Sequence, residues 1–417
     1  MSSLSRRTFI APAATGVAFQ IIRPELVRGA GKEKMKAGLI GVGGRGRGAV
    51  VDLIGGTENI EVTALGDLFE DQLEKNLAWL KSKPDVATRV NVQPDHRFTG
   101  FDAYKKVIAS DVDFVMLCTP PGYRPVHFEA AVAAGKHVFC EKPTGTDPVG
   151  VRRFMDAAKK SVEAKLTVVC GAQRRFQKEY VETIDKIRNG VIGDIVSTSA
   201  YWMGGPVIKQ TARDPKWGDM EWQHRNWYSY VWLCGDQIVE QHMHNIDTIC
   251  WLMNAHPIRV VATGGAAWRP KNEVHGNIYD HVASDFTFAN GVHLHSYCRQ
   301  YPDRLYRNVS ELAVGVKGRS NCRDLGTKGE NPQVAEHRAM AASIRGDGPY
   351  TNNAMAVAES TMTCIMARES AYSGEEIAWD QMMESQLDLS PKTFGYKEPM
   401  TAPPLPVPGQ YKFGRTG

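Results

Sequence analysis

The chain has 417 residues, 42% of them hydrophobic and 23% charged, with a formal net charge of +4. That is ample apolar material for buried cores in two domains and too much for a disordered chain. Residues 1–36 hold seven basic residues and two acidic ones, so this segment carries +5 and the remainder −1; the basic balance belongs to a leader and gives no reason to expect nucleic-acid binding.

The leader reads Ser5-Arg6-Arg7-Thr8-Phe9-Ile10 before a weakly apolar run, broken by Pro12, that reaches Ile22. An arginine pair, a short apolar stretch and a polar exit, in that order, predict a twin-arginine export signal over residues 1–32. Its partner would be the twin-arginine export machinery and its destination the periplasm or another exported location. The run is too short to cross a bilayer, and no later stretch predicts stable membrane insertion.

From Lys36 onward, short apolar runs alternate with helical stretches. Residues 37–42 read as a strand ending in glycines, 47–54 as a helix, 60–65 as a strand and 71–81 as a helix. Residues 99–108 suit a turn and helix, and 113–118 a third strand. Then come a helix over 125–134, a short strand over 137–140, a helix over 149–161 and a closing strand over 166–170. Such alternation predicts a doubly wound parallel sheet over residues 35–170.

After Gly171 the texture changes. A helix is expected over 183–189, and strands over 195–202, 259–264, 283–288 and 293–297. The last two flank Ala289-Asn290-Gly291, a hairpin signal. Late helices follow over 334–344 and 354–372. Residues 171–390 therefore read as an α+β domain on a large, mostly antiparallel sheet. Residues 391–417, with Pro403-Pro404-Leu405-Pro406-Val407-Pro408, read as a surface-wrapping tail. The eight cysteines form no C-x-x-C pair, and several sit in apolar runs, so they read as buried free thiols.

Gly41-Val42-Gly43-Gly44-Arg45-Gly46 fits G-x-G-x-x-G between the first strand and first helix. The glycines permit a tight turn and close approach to a pyrophosphate, and the helix N-terminus favours the phosphates. Asp67 lies 21 residues after Gly46, at the end of the second strand. A carboxylate there accepts from ribose hydroxyls and repels a 2′-phosphate, which favours NAD. Arg45 and Arg47 leave NADP open.

With Thr119-Pro120, Ala134-Gly135-Lys136-His137-Val138, Glu141-Lys142-Pro143 and Glu240-x-x-x-His244-x-x-Asp247, the chain resembles the glucose-fructose oxidoreductase/inositol dehydrogenase (Gfo/Idh/MocA) family from about Lys36 to Asp380. The resemblance implies a Rossmann domain followed by a domain whose open sheet makes a homodimer or homotetramer. It implies redox at a secondary alcohol of a sugar or cyclitol. It also implies that Thr119 and Pro120 border the nicotinamide ribose, that Glu141 and Lys142 sit beside the nicotinamide and reacting carbon, and that Arg174 or Arg175 reaches toward the cofactor. Two positions depart from the pattern. Arg124 stands where the family has His, with His127 one turn later, and Glu240 stands where it has Asp, with an extra His242.

Hydride transfer needs a group to take the hydroxyl proton. Lys142 and His244 are the candidates. If residues 237–253 are helical, Glu240 and His244 share a face, and Glu240 orients the imidazole; Asp247 then holds the helix or the other ring nitrogen. His242 and His244 would point apart on a helix, so no metal is expected. Trp222, Trp227, Tyr228, Tyr230 and Trp232 crowd the preceding segment with His224, Arg225 and Asn226. Each aromatic suits a core position; as a group they suit a wall for a carbohydrate, with Trp227, Tyr228 and Arg225 contacting substrate beside Lys142 and His244. The expectation is an exported NAD(P)-dependent oxidoreductase with a tightly held cofactor. Two other readings are a glycoside-cleaving enzyme that oxidises its substrate transiently, and a non-catalytic sugar-binding protein.

Overall fold

The computed structural model describes residues 34–206, 210–302 and 305–414. The expected export segment, residues 1–32, lies outside the described residues.

Strands β1 (Met35–Ile40), β2 (Ile60–Asp67), β3 (Arg97–Thr99), β4 (Phe114–Leu117), β5 (His137–Cys140) and β6 (Val168–Cys170) form one parallel sheet in the order β3-β2-β1-β4-β5-β6. Helices cover both faces, so β4 is buried at every residue and needs no polar alternation. The covering helices include α1 (Gly44–Gly56), α2 (Glu70–Lys81), α3 (Arg124–Ala133) and α4 (Pro148–Glu163). The start of α4 is fixed locally: Pro148 follows Asp147, whose carboxylate accepts the Gly150 N–H at 2.7 Å. Residues 99–108 form the expected turn and helix, the helix running over Ala103–Ala109; what the pattern did not show is the edge strand at residues 97–99, which pairs with β2 and is too short to show a period.

The second sheet has the order β12-β11-β7-β10-β9-β8-β13, built from β7 (Ile195–Gly204), β8 (Arg259–Gly265), β9 (His281–Thr287), β10 (His293–Gln300), β11 (Asn308–Gly315), β12 (Gly318–Ser320) and β13 (Ile377–Ala378). All neighbours are antiparallel except β7 and β10. Along β10, Leu294, Ser296, Cys298 and Gln300 point inward, toward α5 (Met243–Met253) and α7 (Ala354–Ser373). The other face is open and presents Tyr201, Val261, Tyr297 and Leu312.

Helix α6 (Pro332–Arg345) returns to the first domain and lies against α1 so closely that a Cβ on Gly56 would stand 2.7 Å from the Val334 carbonyl oxygen. The tail also ties both domains: the Tyr396 hydroxyl donates to the Leu68 carbonyl at 2.5 Å, and Gln223 Nε2 donates to the Met400 carbonyl at 2.7 Å.

The expected helix over 237–253 forms, but its first turn is π-helical. Gly235 and Asp236 carry φ values of 83° and 80°, residues 238–242 make a π-helical turn, and α5 starts only at Met243. Asp236 pins the entry. Its carboxylate accepts from Gln237 N at 2.5 Å, Tyr279 N at 2.8 Å and the Tyr372 hydroxyl at 2.5 Å. Burial pushes its pKa up to about 6. All eight cysteines are free thiols, seven of them buried.

Candidate active site

The glycine turn is tight where strand meets helix and empty where a phosphate would lie. Gly41 has φ +91°, and a Cβ there would sit 2.7 Å from Thr119 N; one on Gly46 would sit 1.9 Å from the Gly41 carbonyl oxygen. Gly43 and Gly44 have nothing within 4 Å of a built Cβ. The first amides of α1 open onto that space, so the turn fits a pyrophosphate. Asp67 accepts the Val42 N–H at 2.7 Å and the Phe69 N–H at 3.0 Å, and thus braces the turn as well as lining the cavity.

From this turn a cavity of about 930 Å³ runs past Thr119 and Pro120 to Lys142, Glu240 and His244. It lies at the carboxyl ends of β1 and β4, where the strand order reverses. Beside Gly44, Arg45 pairs with Glu141 and, at 3.0 Å, with Asp52. Arg47 turns away, to Asn76 at 3.1 Å and the Trp79 ring at 4.3 Å.

Lys142 and Glu240 form a buried pair: Nζ donates to Glu240 Oε1 at 3.1 Å and to the Glu240 backbone carbonyl. The other carboxylate oxygen accepts from Gln241 Nε2 at 2.5 Å. Glu240 therefore serves Lys142 and not His244, since the π-helical turn replaces the expected α-helical spacing. His244 stacks on Trp202 with centroids 6.0 Å apart, and its ring nitrogens have no hydrogen bond among the described residues. Burial, then the nearby Lys142, hold its pKa well below the usual histidine value, so the imidazole is neutral.

Several sequence expectations are corrected by long-range partners. Asp247 does not reach His244; it takes Arg175 at 2.8 Å and the Ser360 hydroxyl at 2.7 Å. Arg174 does not face the cofactor; it pairs with Glu311 on β11, a strand the sequence pattern did not show, while Gln173 lines the cavity. Tyr228 is buried and accepts from Gln300 Nε2 at 2.7 Å, away from the lining. Trp222, Tyr230 and Trp232 pack with Leu233 as core. Of that aromatic run, only Trp227 reaches the cavity. Arg225 also lines it, but at the far end: its guanidinium covers the Phe69 ring at 3.9 Å and pairs with Asp71 at 3.1 Å, beside the end of β2.

Arg124 lines the cavity and donates to the Pro143 carbonyl at 2.7 Å, holding the Glu141-Lys142-Pro143 loop. His127 takes the place beside Thr119. Its Nδ1 lies 3.4 Å from the Thr119 hydroxyl, its ring stacks on Tyr104 at 4.2 Å, and burial depresses its pKa to about 3.

Among the lining residues that were not anticipated are Gln333 and Glu336, from α6. Glu336 is buried, and burial reinforced by Glu141 raises its pKa well above the usual carboxyl value, so it is neutral. A signal existed. Glu336, Met340 and Ile344 fall on one helix stripe, and a carboxyl on an apolar stripe marks a special site. Among the described residues no group of three or more His, Cys, Asp or Glu is placed to hold a metal ion, and no helix is long and apolar enough to cross a membrane.

Residues 35–169 match a model described as an oxidoreductase family with an NAD-binding Rossmann fold, and residues 180–319 match the GFO/IDH/MocA C-terminal domain. The chain belongs to the GFO/IDH/MocA family. Among curated proteins similar to it, inositol 2-dehydrogenase of Klebsiella pneumoniae is 30% identical over 224 residues, 53% of this chain and 55% of that one. Inositol 2-dehydrogenase of Rhizobium meliloti is 28% identical over 155 residues, 37% and 41% of the two chains. The chain spans about half the length of the curated relatives it matches. Solved structures share the fold over most of the chain. The Lactobacillus casei scyllo-inositol dehydrogenase solved with NAD(H) and scyllo-inositol superposes with a TM-score of 0.64 at 17% identity, over 83% of this chain and 99% of that one. The Caulobacter crescentus aldose-aldose oxidoreductase superposes with a TM-score of 0.61 at 16% identity, over 83% and 100%.

Proposed function

We propose that this GFO/IDH/MocA protein is an NAD-dependent oxidoreductase that moves a hydride at a secondary hydroxyl of a sugar, glycoside or cyclitol. One observation carries the reading: the glycine turn and the Lys142–Glu240 pair with His244 open into a single cavity. NAD would supply the hydride acceptor. Gly43 and Gly44 leave room for its pyrophosphate, and Asp67 faces the ribose position. At the other end Lys142, held by Glu240, donates to the substrate oxygen. The neutral, unpartnered imidazole of His244 accepts the hydroxyl proton. NAD is favoured over NADP because the nearby arginines are engaged: Arg45 with Glu141 and Asp52, Arg47 with Asn76, Arg225 with Asp71 and Glu221.

Tight retention of the cofactor is supported by the tail, where Tyr396 bonds Leu68 and stands 5.3 Å from the Phe101 ring at the β2 end of the cavity. Export rests on Arg6-Arg7 and the apolar run after them, and assembly into a homo-oligomer on the open sheet face with Val261 and Tyr297.

The test is a panel of cyclitols, sugars and glycosides with NAD, followed by nicotinamide absorbance and by assay of released sugar. Reduced nucleotide from at least one polyol is expected. Free sugar released with no net reduction would select transient oxidation and glycoside cleavage instead. Failure to bind either nucleotide would sink the redox reading.

A further inference from the structure

Glu336 lines the cavity from α6 and is only 1% exposed, yet its carboxyl makes no hydrogen bond or ion pair among the described residues, and its Oε2 is fully buried. A buried polar group without a partner is unfavourable, so this carboxyl calls for one that an occupant of the cavity brings. The guanidinium of the same wall does not serve it. Arg45 is taken by Glu141 and, at 3.0 Å, by Asp52.

The place of Glu336 along the cavity follows from its neighbours. His337, the next residue, packs against the Phe139 ring of β5 with centroids 4.2 Å apart. Strand β5 ends at Cys140, and Glu141 and Lys142 follow directly. Glu336 is therefore held beside the strand end that delivers Lys142. The ribose site at Asp67 lies at the end of β2, and the order β2-β1-β4-β5 sets two strands between it and β5. A dinucleotide with its pyrophosphate on Gly43 and Gly44 and one ribose at Asp67 lays its nicotinamide toward β4 and β5, on the side of Glu336.

Burial keeps the Glu336 carboxyl protonated, so it offers an O–H donor and a carbonyl acceptor side by side. A pyrophosphate offers acceptors only. The nicotinamide ring carries a carboxamide, which has an N–H donor and a carbonyl acceptor in the same arrangement. We propose that the Glu336 carboxyl binds the carboxamide of the nicotinamide through a pair of hydrogen bonds, one given and one received, and so holds the ring at the reacting end. This rests on reading the cavity as a dinucleotide oxidoreductase site.

The test is calorimetric titration of the full chain with NAD and with 3-acetylpyridine adenine dinucleotide, in which a methyl ketone replaces the carboxamide. The carbonyl acceptor stays and the N–H donor is lost. No substrate is added, so turnover plays no part. The native chain is expected to bind NAD about 3- to 10-fold more tightly than the ketone, the range for one hydrogen bond. Glu336→Leu is expected to bind the two equally, and Glu336→Gln, which keeps a donor and an acceptor, is expected to retain the preference. Because the carboxyl has no protein partner, Glu336→Leu without nucleotide is expected to melt no lower than the native chain. Equal binding by the native chain would overturn the proposal. So would a preference that survives in Glu336→Leu, which would put the carboxyl on a part that both dinucleotides share, such as the ribose. A Glu336→Leu variant that melts far lower would also overturn it, by showing a structural carboxyl. Each of these results leaves the dinucleotide cavity standing, whereas a native chain that binds neither nucleotide would overturn the oxidoreductase reading and this inference with it.

Discussion

The two walls of the cavity are built by different means. The wall at the phosphate end is main chain: the end of β1, the glycine turn and the first amides of α1, all within a few residues of one another. The wall at the reacting end is side chains held by partners distant in sequence, such as Lys142 of the first domain by Glu240 of the second, 98 residues on. Main-chain geometry fails when a Cβ is added. Paired side chains fail when either partner is lost.

The second wall is the easier to break. Replacing Lys142 with Met should lower kcat by about 10³-fold, within the range for a positioned proton-transfer group, while NAD affinity changes by less than about threefold. It should also lower stability by about 3 kcal/mol, since Glu240 is left buried and unpaired; steady-state kinetics and thermal unfolding read both effects. Glu240→Gln should cost about tenfold in kcat. If Glu240 works through Lys142, adding it to Lys142→Met should cause no further loss. A full additional tenfold loss would instead tie Glu240 to His244.

A smaller effect concerns pH. Burial holds His127, His242 and His337 at about 3, and His137 and His224 at about 4. Unfolded histidine titrates near 6.5. As pH falls through about 6.5, the unfolded chain binds protons that the folded chain refuses, so stability falls, by up to about 1.4 kcal/mol per pH unit for each histidine. Asp236, raised to about 6, acts in the opposite sense, as do Glu336, Asp67 and Asp147, also raised by burial, but the lowered histidines, His244 among them, outnumber these carboxyls. The melting temperature should drop from pH 7 to pH 5; a flat profile would mean that these histidines are hydrated.

What was legible follows the same division. The parallel sheet, the glycine turn and the Asn-Gly hairpin rest on local periods and turn residues, and they fold where the pattern places them. Arg174, Asp247 and Tyr228 were misplaced because their partners, Glu311, Arg175 and Gln300, lie between 72 and 137 residues away. The Glu240–His244 pairing failed for a backbone reason, the left-handed entry at Gly235 and Asp236 into a π-helical turn. Glu336 was visible in principle, as a carboxyl on a buried helix stripe, but its place in the cavity depends on α6 returning to α1.

The most direct measurement is energy transfer from tryptophan to NADH, because Trp217 and Trp227 line the cavity. The native chain should show saturable transfer with one nucleotide per chain. Gly46→Val should show none, since its Cβ would fall 1.9 Å from the Gly41 carbonyl oxygen. Saturable transfer that persists in the folded variant, or none in the native chain, would contradict the placement of a dinucleotide in this cavity.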